Sequence, residues 1–222
     1  MFPYKKDQLN FPMKVIATNI SKGTTITWHG KEEKTGIFKT PTPAPIFLGK
    51  TDVDKDTVVD RKYHGGLDKA CYLFSVDEYE YWKKLYPKLT WDWGMFGENL
   101  TIKGLDESKI RIGDIYKIGG ALVQISQPRE PCYKLGIKFE DQNILKQFID
   151  RSHPGTYVRI LKEGFVRQGD SAILEEQSKN TLTVQQFYNL LFAKDKSQKL
   201  LQLAINNEAL PLKKRESLEK YL

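Results

Sequence analysis

The hydrophobic period of the sequence changes near residue 178, and this change limits the folds available to the chain. Before residue 178, short segments of alternating apolar residues are separated by glycine and proline, a pattern typical of strands joined by turns. After it, apolar residues recur at helical spacing. Many strands followed by a run of helices predict a mainly β fold, α+β overall, in which a β-barrel precedes a helical tail.

This pattern divides the chain into three parts. Residues 1–13 are expected to be a loose extension, because a first strand begins convincingly only at about residue 14. Residues 14–177 are expected to form the barrel domain, with a few flanking helices. Residues 178–222 are expected to form a small domain of three helices that carries none of the chemistry, at 182–192, 197–205 and 211–221.

Local signals add detail to the predicted elements. Three prolines within residues 37–47 exclude a helix there and indicate an extended edge segment. Ser75, with Glu78 three residues later, predicts a helix that begins with a capping box. Ser197 is expected to cap a tail helix, and Pro211 to be the first residue of the last one.

Composition excludes some classes of protein. No apolar run approaches the about 20 residues needed to cross a bilayer, and residues 1–12 are polar and aromatic, without an apolar core like that of a secretory signal. Two cysteines do not make a disulfide framework, so a reducing cytoplasm is the expected location. The net charge is +7, but residues 178–222 hold eight Lys and Arg against four Asp and Glu without a long basic run. We expect a solvated helical face and no specific nucleic-acid partner.

Cys132 lies in the segment with the clearest chemical potential. The segment 122–126 alternates like a strand, and Pro128 should end that strand because proline cannot donate to a central ladder. Pro131 stiffens the loop, while Arg129 and Lys134 would favour the thiolate. A cysteine buried as a small hydrophobic residue is an equally good interpretation of these residues.

Cys71, in contrast, lies inside an apolar strand and is expected to be inert. The segment 61–69 concentrates charged residues around two glycines, which let a backbone approach a ligand closely. A phosphate or carboxylate could be held there, although a plain surface turn, with Asp68 bonded to its own loop, is slightly favoured by the segment alone. Its candidate residues are Arg61, Lys62, His64, Gly65, Gly66, Asp68 and Lys69.

Other motifs are weak or absent. Asn99, in the segment 96–101, is of a type that often only satisfies loop backbone. His29 is expected at the surface, and His153 is expected to be structural. No zinc-ligand spacing, dinucleotide fingerprint or phosphate-binding loop occurs in the sequence.

Taken together, the segments resemble the MOSC family, named for the C-terminal domain of molybdenum cofactor sulfurases, and within it the stand-alone YiiM-like branch. Residues 61–70 are similar to that branch's RxYHGGxDxA stretch, and residues 96–101 to its FGENLT block. Residues 112–114 are similar to its IGD turn, and residues 127–135 to its QPRxPCxKL loop. The predicted tail is similar to the small helical domain of the same branch.

The resemblance implies a β-barrel that binds a molybdopterin-type cofactor, with Cys132 as the molybdenum ligand. It also implies reduction of small N-hydroxylated compounds, including N-hydroxylated purine bases, with His64 or Asp68 delivering a proton. Electrons would come from a separate reductase, and a homodimer is compatible with the sequence. The residues expected to bind the cofactor are Arg61, Lys62, Gly65, Gly66, Lys69, Asn99 and Arg129.

Two other functions stay open from the sequence. In the first, Cys132 carries a persulfide or delivers finished cofactor, and the protein has no turnover of its own. In the second, ranked lowest, the basic tail binds nucleic acid without specificity, which would make binding strongly salt-dependent.

Overall fold

A computed structural model describes residues 13–59, 61 and 65–222 of the chain. The predicted extension therefore lies outside the described residues, except for Met13. Strands and helices follow the order expected from the sequence, with the strands first and most helices late. The strands are β1 (Met13–Ile20), β2 (Thr24–Trp28), β3 (Lys31–Thr35), β4 (Thr40–Pro41), β5 (Ile46–Leu48), β6 (Cys71–Ser75), β7 (Leu100–Lys103), β8 (Ile115–Ile118), β9 (Ala121–Pro128), β10 (Thr156–Lys162), β11 (Gly164–Val166) and β12 (Ser171–Glu176). The helices are α1 (Tyr79–Leu85), α2 (Tyr133–Lys138), α3 (Ile144–Arg151), α4 (Val184–Phe192), α5 (Gln198–Ile205) and α6 (Leu212–Glu219).

Seven strands close into a barrel, which confirms the predicted fold class. The order around the barrel is β12-β8-β9-β10-β6-β7-β1, and pairing of Met13 with Ala172 joins β1 back to β12. Neighbouring strands are antiparallel except β6 and β7, which run parallel with Leu73 opposite Leu100. Closure leaves no free edge in the ring, so the barrel needs no other device to protect a strand edge.

Alternate residues of each strand point into the barrel, and these inward-pointing residues are mostly apolar. Val15, Ile102, Val123 and Val158 are almost fully buried in one cluster. The C-terminal tail contributes to this same cluster, through its helices and the segments beside them. The tail residues in the cluster are Leu182, Val184, Phe187, Leu190, Leu201, Ala204, Leu210 and Leu218.

A second, aromatic cluster forms where α1, α2 and α3 pack beside the barrel. Phe74 of β6 stacks on Phe96 with ring centroids 4.1 Å apart, and Trp82 of α1 stacks on Phe148 of α3 at 5.9 Å. Such large rings bury much apolar area and pack with definite geometry. This cluster supports the loops that follow β6 and β9.

A two-stranded arm, β2–β3, projects from the barrel. His29 and Gly30 both have positive φ, 48° and 75°, which is the requirement of a two-residue type I′ turn. The ring of Trp28 at the end of β2 stacks on the ring of Tyr133 with centroids 5.1 Å apart. The arm is thereby held against the first residue of α2.

Three local predictions can be checked against these elements. The proline-rich segment is extended, as predicted: it contains the short strand β4 at the end of β1 and the start of β5, which pairs with β11. The capping box at Ser75 is wrong: Ser75 is the last residue of β6 and makes no capping bond, and a 3₁₀ turn, Val76–Glu78, precedes α1. Glu78 instead accepts from Arg151 of α3 at 2.7 and 3.1 Å, because tertiary ion pairing outweighs the local cap. Pro211 stands one position earlier than predicted, as the N-cap of α6.

Candidate functional site

Cys132 lies between the end of a barrel strand and the start of a helix. Strand β9 ends at Pro128, as predicted, and Cys132 is the N-cap residue of α2 in an extended conformation, with φ −129° and ψ 164°. Its thiol is free and half-buried. The sequence alone did not decide whether this thiol is buried, and the structure places it in the wall of a cavity.

That cavity is a cleft of about 660 Å³, counted with its open mouth. Five predicted residues meet in it: Cys132, Arg129, Asn99, Gly65 and Lys69. The other lining residues are Thr35, Gly36, Ile37, Lys39, Asp56, Thr57, Val58, Val59, Ala70, Tyr72, Gly97, Lys134 and Tyr157.

Arg129 is a buried cation without a neutralising partner among the described residues. Only 4% of the residue is exposed. Its guanidinium donates to the carbonyl of Phe96 and lies 4.9 Å from the centroid of the Tyr72 ring. No described carboxylate comes within ion-pair distance, and Nε makes no hydrogen bond. A buried charge in this state favours an anion in the cleft.

The segment 96–101 shapes the wall behind Arg129. Gly97 has φ +76°, and a Cβ there would lie 3.4 Å from Arg129 Nη1 and 3.0 Å from a side-chain carbon of Ile37. Glu98 is fully buried and accepts from the backbone N–H of Gly94 at 2.9 Å and of Phe96 at 3.1 Å. Its role is to hold this loop in place.

Lys39 and Asp56 form a buried ion pair in the cleft that sequence reasoning missed. Asp56 also accepts from Asn99 Nδ2 at 2.9 Å and from the N–H of Ser21 at 2.8 Å. Burial lowers the pKa of Lys39, and Asp56 opposes part of that shift. Neither residue stands in a recognisable motif, and only the long-range pairing of their segments brings them together.

The segment 61–69 reaches the cleft only in part. Gly65 and Lys69 line the cleft, and burial lowers the pKa of Lys69, helped by repulsion from Lys214. Gly66 is not among the lining residues. Lys62 and His64 lie outside the part of the chain that the structure describes.

Two predicted residues of this segment face other partners. Arg61 is largely exposed and pairs with Asp52 at 2.7 Å, so it does not line the cleft. Asp68 pairs with Arg159, and the backbone carbonyl of Asp68 accepts from Ser126 Oγ at 2.6 Å. Neither interpretation of the segment 61–69, as a surface turn or as an anion-binding loop, is therefore complete. Some of its residues form structural ion pairs, and others line the cleft.

The cleft carries a positive balance. Among the described residues, its lining contains four cationic side chains and a single carboxylate, Asp56, which forms an ion pair with Lys39. The four cations are Lys39, Lys69, Arg129 and Lys134. Lys134 is 9% exposed, with its ammonium 5.7 Å from the centroid of the Tyr133 ring. Low-dielectric walls strengthen the field of these cations, so the cleft suits a ligand with a negatively charged end.

Comparison with known proteins agrees with the motifs gathered here. The model of the MOSC domain matches residues 60–172. The chain belongs to the MOSC domain family. YflK of Bacillus subtilis is 34% identical over 171 residues, which cover 77% of each protein. The crystal structure of YiiM from Geobacillus stearothermophilus superposes with a TM-score of 0.79 at 30% identity, covering 95% of this chain and all of that one. The YiiM-like resemblance is confirmed.

A fungal relative is longer than this chain. A protein of Gibberella moniliformis named "Reductase" is 32% identical over 192 residues, which are 85% of this chain but 33% of that protein. In the described part of the chain, no helix has the length and apolar character needed to cross a membrane. The same residues contain no group of three or more His, Cys, Asp or Glu placed to hold a metal ion.

Proposed function

We propose that the protein is a molybdenum-cofactor-dependent reductase of small N-hydroxylated compounds, such as N-hydroxylated purine bases. Family membership and a relative named as a reductase support an oxidoreductase. The observation that carries the finer proposal is Arg129, a buried guanidinium with an unpartnered Nε in the same cleft as the free thiol of Cys132.

The lining residues fit a cofactor with a soft metal at one end and a phosphate at the other. A thiolate at Cys132 suits molybdenum that is already bound by the sulfurs of a pterin dithiolene. Arg129, Lys134 and Lys69 offer charge-assisted hydrogen bonds to a phosphate. The bound group would supply the two-electron chemistry, and the protein would supply binding, orientation and electrostatics.

The side chains have separate tasks in this proposal. Cys132, in the loop that follows β9, would bind the metal end of the cofactor. Arg129 orients the anionic end, and its own position is set by the Phe96 carbonyl and the Tyr72 ring. Tyr72 and Tyr157 are almost fully buried rings that keep water from this wall of the cleft. Electrons come from a separate reductase.

A carrier of cofactor or sulfur is the alternative, because a half-exposed free thiol in a cationic cleft also suits that role. The test is purification from a host that makes the cofactor, followed by metal analysis and assay with a chemically reduced viologen as donor. We expect about one molybdenum per chain and reduction of an N-hydroxylated purine. Molybdenum without turnover would favour the cofactor carrier. A metal-free, inactive protein from that host would overturn both the reductase and the cofactor carrier, and would leave only a carrier of sulfur.

A further inference from the structure

Reduction of an N–OH group needs protons as well as electrons, and three groups in or near the described cleft are poorly placed to release one. Asp68 forms an ion pair with Arg159. Tyr72 donates its hydroxyl to the carbonyl of Pro154 at 2.7 Å, and burial raises its pKa far above neutrality. Arg129 does not release a proton at any ordinary pH.

We propose that Lys39, held in place by Asp56, is the proton donor for cleavage of the substrate N–O bond. The proposal rests on the proposed function and assigns a residue of this chain to one step of it. Lys39 and Asp56 line the same cleft as Cys132. Their side chains are only 8% and 3% exposed.

The pair is built to hold a charged lysine in a buried place. The Asp56 carboxylate accepts hydrogen bonds from Lys39 Nζ, Asn99 Nδ2 and the N–H of Ser21, so it is held in one position. An ammonium has three N–H donors. Asp56 is the one hydrogen-bond acceptor found for Nζ within the described residues, which leaves donors for a ligand in the cleft.

Four titratable or charged groups face Lys39 from the surrounding elements. They are Asp56, Cys71, Arg129 and Lys138. Burial lowers the pKa of Lys39 most, Asp56 raises it, and Arg129 lowers it. Burial also raises the pKa of Cys71, so this thiol stays neutral and does not anchor the ammonium. Burial lowers the pKa of Lys138 to about 8, and repulsion from Lys39 contributes to that shift. Lys39 is therefore a cation that gives up its proton more readily than a surface lysine.

The step balances as follows. The N–O bond breaks while the substrate takes up two electrons, provided by the external reductase or by a chemical donor. Lys39 Nζ transfers one proton to the departing oxygen, which leaves as water, and solvent supplies the second proton and later restores the ammonium. The organic product is the amine. General acid catalysis of this kind contributes about 10²- to 10⁴-fold.

The first experiment needs no cofactor. The pKa of Lys39 is measured by NMR titration of the cofactor-free protein labelled with ¹³C-lysine, with the signal assigned through Lys39→Arg. We expect a pKa below that of the exposed Lys117 of β8, and a further fall in Asp56→Asn, because the carboxylate that stabilises the ammonium is gone. An unshifted Lys39, or one unchanged by Asp56→Asn, would overturn the proposal.

The second experiment uses protein from a cofactor-making host. Lys39→Met and Lys39→Arg should keep the molybdenum content of the wild type, yet lose about 100-fold or more in kcat, since neither delivers a proton. Lys117→Met is the matched control and should equal the wild type. In the wild type kcat should fall as pH rises through the pKa of Lys39, and in Asp56→Asn this fall should move to lower pH.

The outcomes distinguish the assignment of Lys39 from the proposed function on which it rests. A wild type that reduces no N-hydroxylated compound defeats the proposed function itself. An active wild type with an equally active Lys39→Met defeats only the assignment of Lys39. Loss of molybdenum from a folded Lys39→Met would make Lys39 a cofactor anchor and would also reject it as the proton donor. Thermal unfolding of each variant shows which of them are folded.

Discussion

At the scale of single residues, the two cysteines show how position decides chemistry. Cys71 lies in β6 with 1% exposed, and burial raises the pKa of its thiol far above the usual range. Cys132 lies outside the strands, half-buried and facing a cleft lined by cations. Burial therefore closes thiolate formation and metal binding to Cys71, whereas the thiol of Cys132 is free and lies at the wall of the cleft.

We therefore predict that Cys132→Ala abolishes bound molybdenum and reductase activity, whereas Cys71→Ala keeps both. The Cys71 variant should lose only about 1 kcal/mol of unfolding free energy, the typical cost of a point change. Metal analysis and a steady-state assay on both proteins check this prediction. Full activity in Cys132→Ala would refute the role of the thiol.

Arg129→Met should weaken cofactor retention by about tenfold to a hundredfold, because hydrogen bonds to a charged group are worth about 1.5–3 kcal/mol and about 1.4 kcal/mol is a factor of ten. Arg129→Lys should recover part of the loss, since it restores the charge but not the planar fork. The measurement is molybdenum content after dialysis, with the exposed Arg61→Met as comparison. Equal retention in Arg129→Met and wild type would remove the argument from the buried guanidinium.

His153 has a structural role with a pH signature. Its Nδ1 lies 3.0 Å from Oε2 of the fully buried Glu107, and this hydrogen bond raises the pKa of His153. Glu107 also accepts from the N–H of Gly155 at 2.8 Å, so the pair ties the start of β10 to the loop after β7.

The raised pKa gives a stabilisation that is complete below the ordinary histidine pKa of about 6.5 and is lost as pH rises through the folded-state value. The loss of unfolding free energy in His153→Gln should therefore be larger at pH 6 than at pH 8.5. Urea unfolding of both proteins at the two pH values measures this. A difference that does not depend on pH would show that the contact is not ionic.

At the scale of elements, the position of the candidate site depends on the junction between β9 and α2. Strand β9 carries the chain to Pro128, and α2 begins at Tyr133, so Cys132 is set by one rigid element on each side. The β2–β3 arm adds a third support, because Trp28 stacks on Tyr133 and the Tyr133 hydroxyl donates to Glu33 at 2.5 Å. A site held between rigid elements keeps its geometry better than one on a long loop.

Helix α4 has the capping box that Ser75 lacks. Thr183 Oγ1 accepts from the N–H of Gln186 at 3.1 Å, and Gln186 Oε1 accepts from the N–H of Thr183 at 3.1 Å. Thr183→Ala should cost about 1 kcal/mol of unfolding free energy. Ser197→Ala, at the start of α5, should cost less because its capping bond is longer, 3.5 Å. Chemical denaturation checks the order, and an equal or reversed order would contradict it.

At the scale of the whole molecule, the tail and the barrel share one core. Leu182 and Phe187 are fully buried in the cluster that fills the barrel, and Asn207 Nδ2 donates to the carbonyl of Ile112 at 3.2 Å. Lys214 of α6 also pairs with Glu130, two residues from Cys132. The tail thus contacts the loop that carries the candidate thiol.

The division at residue 178 stays a prediction, but this packing changes what we expect from a truncation there. Each buried apolar side chain contributes about 1.5–3 kcal/mol, and total stabilities are about 5–15 kcal/mol. A chain that ends at residue 178 should therefore be unfolded or aggregated. Circular dichroism and size-exclusion chromatography test this, and Lys214→Ala in the full chain is the milder control. A folded truncated protein that retains cofactor would restore the view of the tail as an independent unit.

The sequence by itself determined the class of the fold and the place where the last strand is followed by the tail helices, and it singled out the loop that carries Cys132. These follow from local signals: alternation, the helical period, and the prolines that end β9 and stiffen the loop beyond it. The sequence also carried the family motifs, because their residues lie side by side along the chain.

Only the tertiary structure decided which residues share the cleft. Lys39 and Asp56 meet because both of their segments pack against the end of β1. Thr40 pairs with Ile20, and Asn99 Nδ2 donates both to Asp56 and to the carbonyl of Asn19, contacts that no periodicity records. Arg61 and Asp68 do not line the cleft, and each forms an ion pair with a residue that no local pattern connects to it, Asp52 and Arg159 respectively. Ion pairs depend on distances in space, which local patterns do not encode, whereas strands, helices and turns depend on neighbours along the chain.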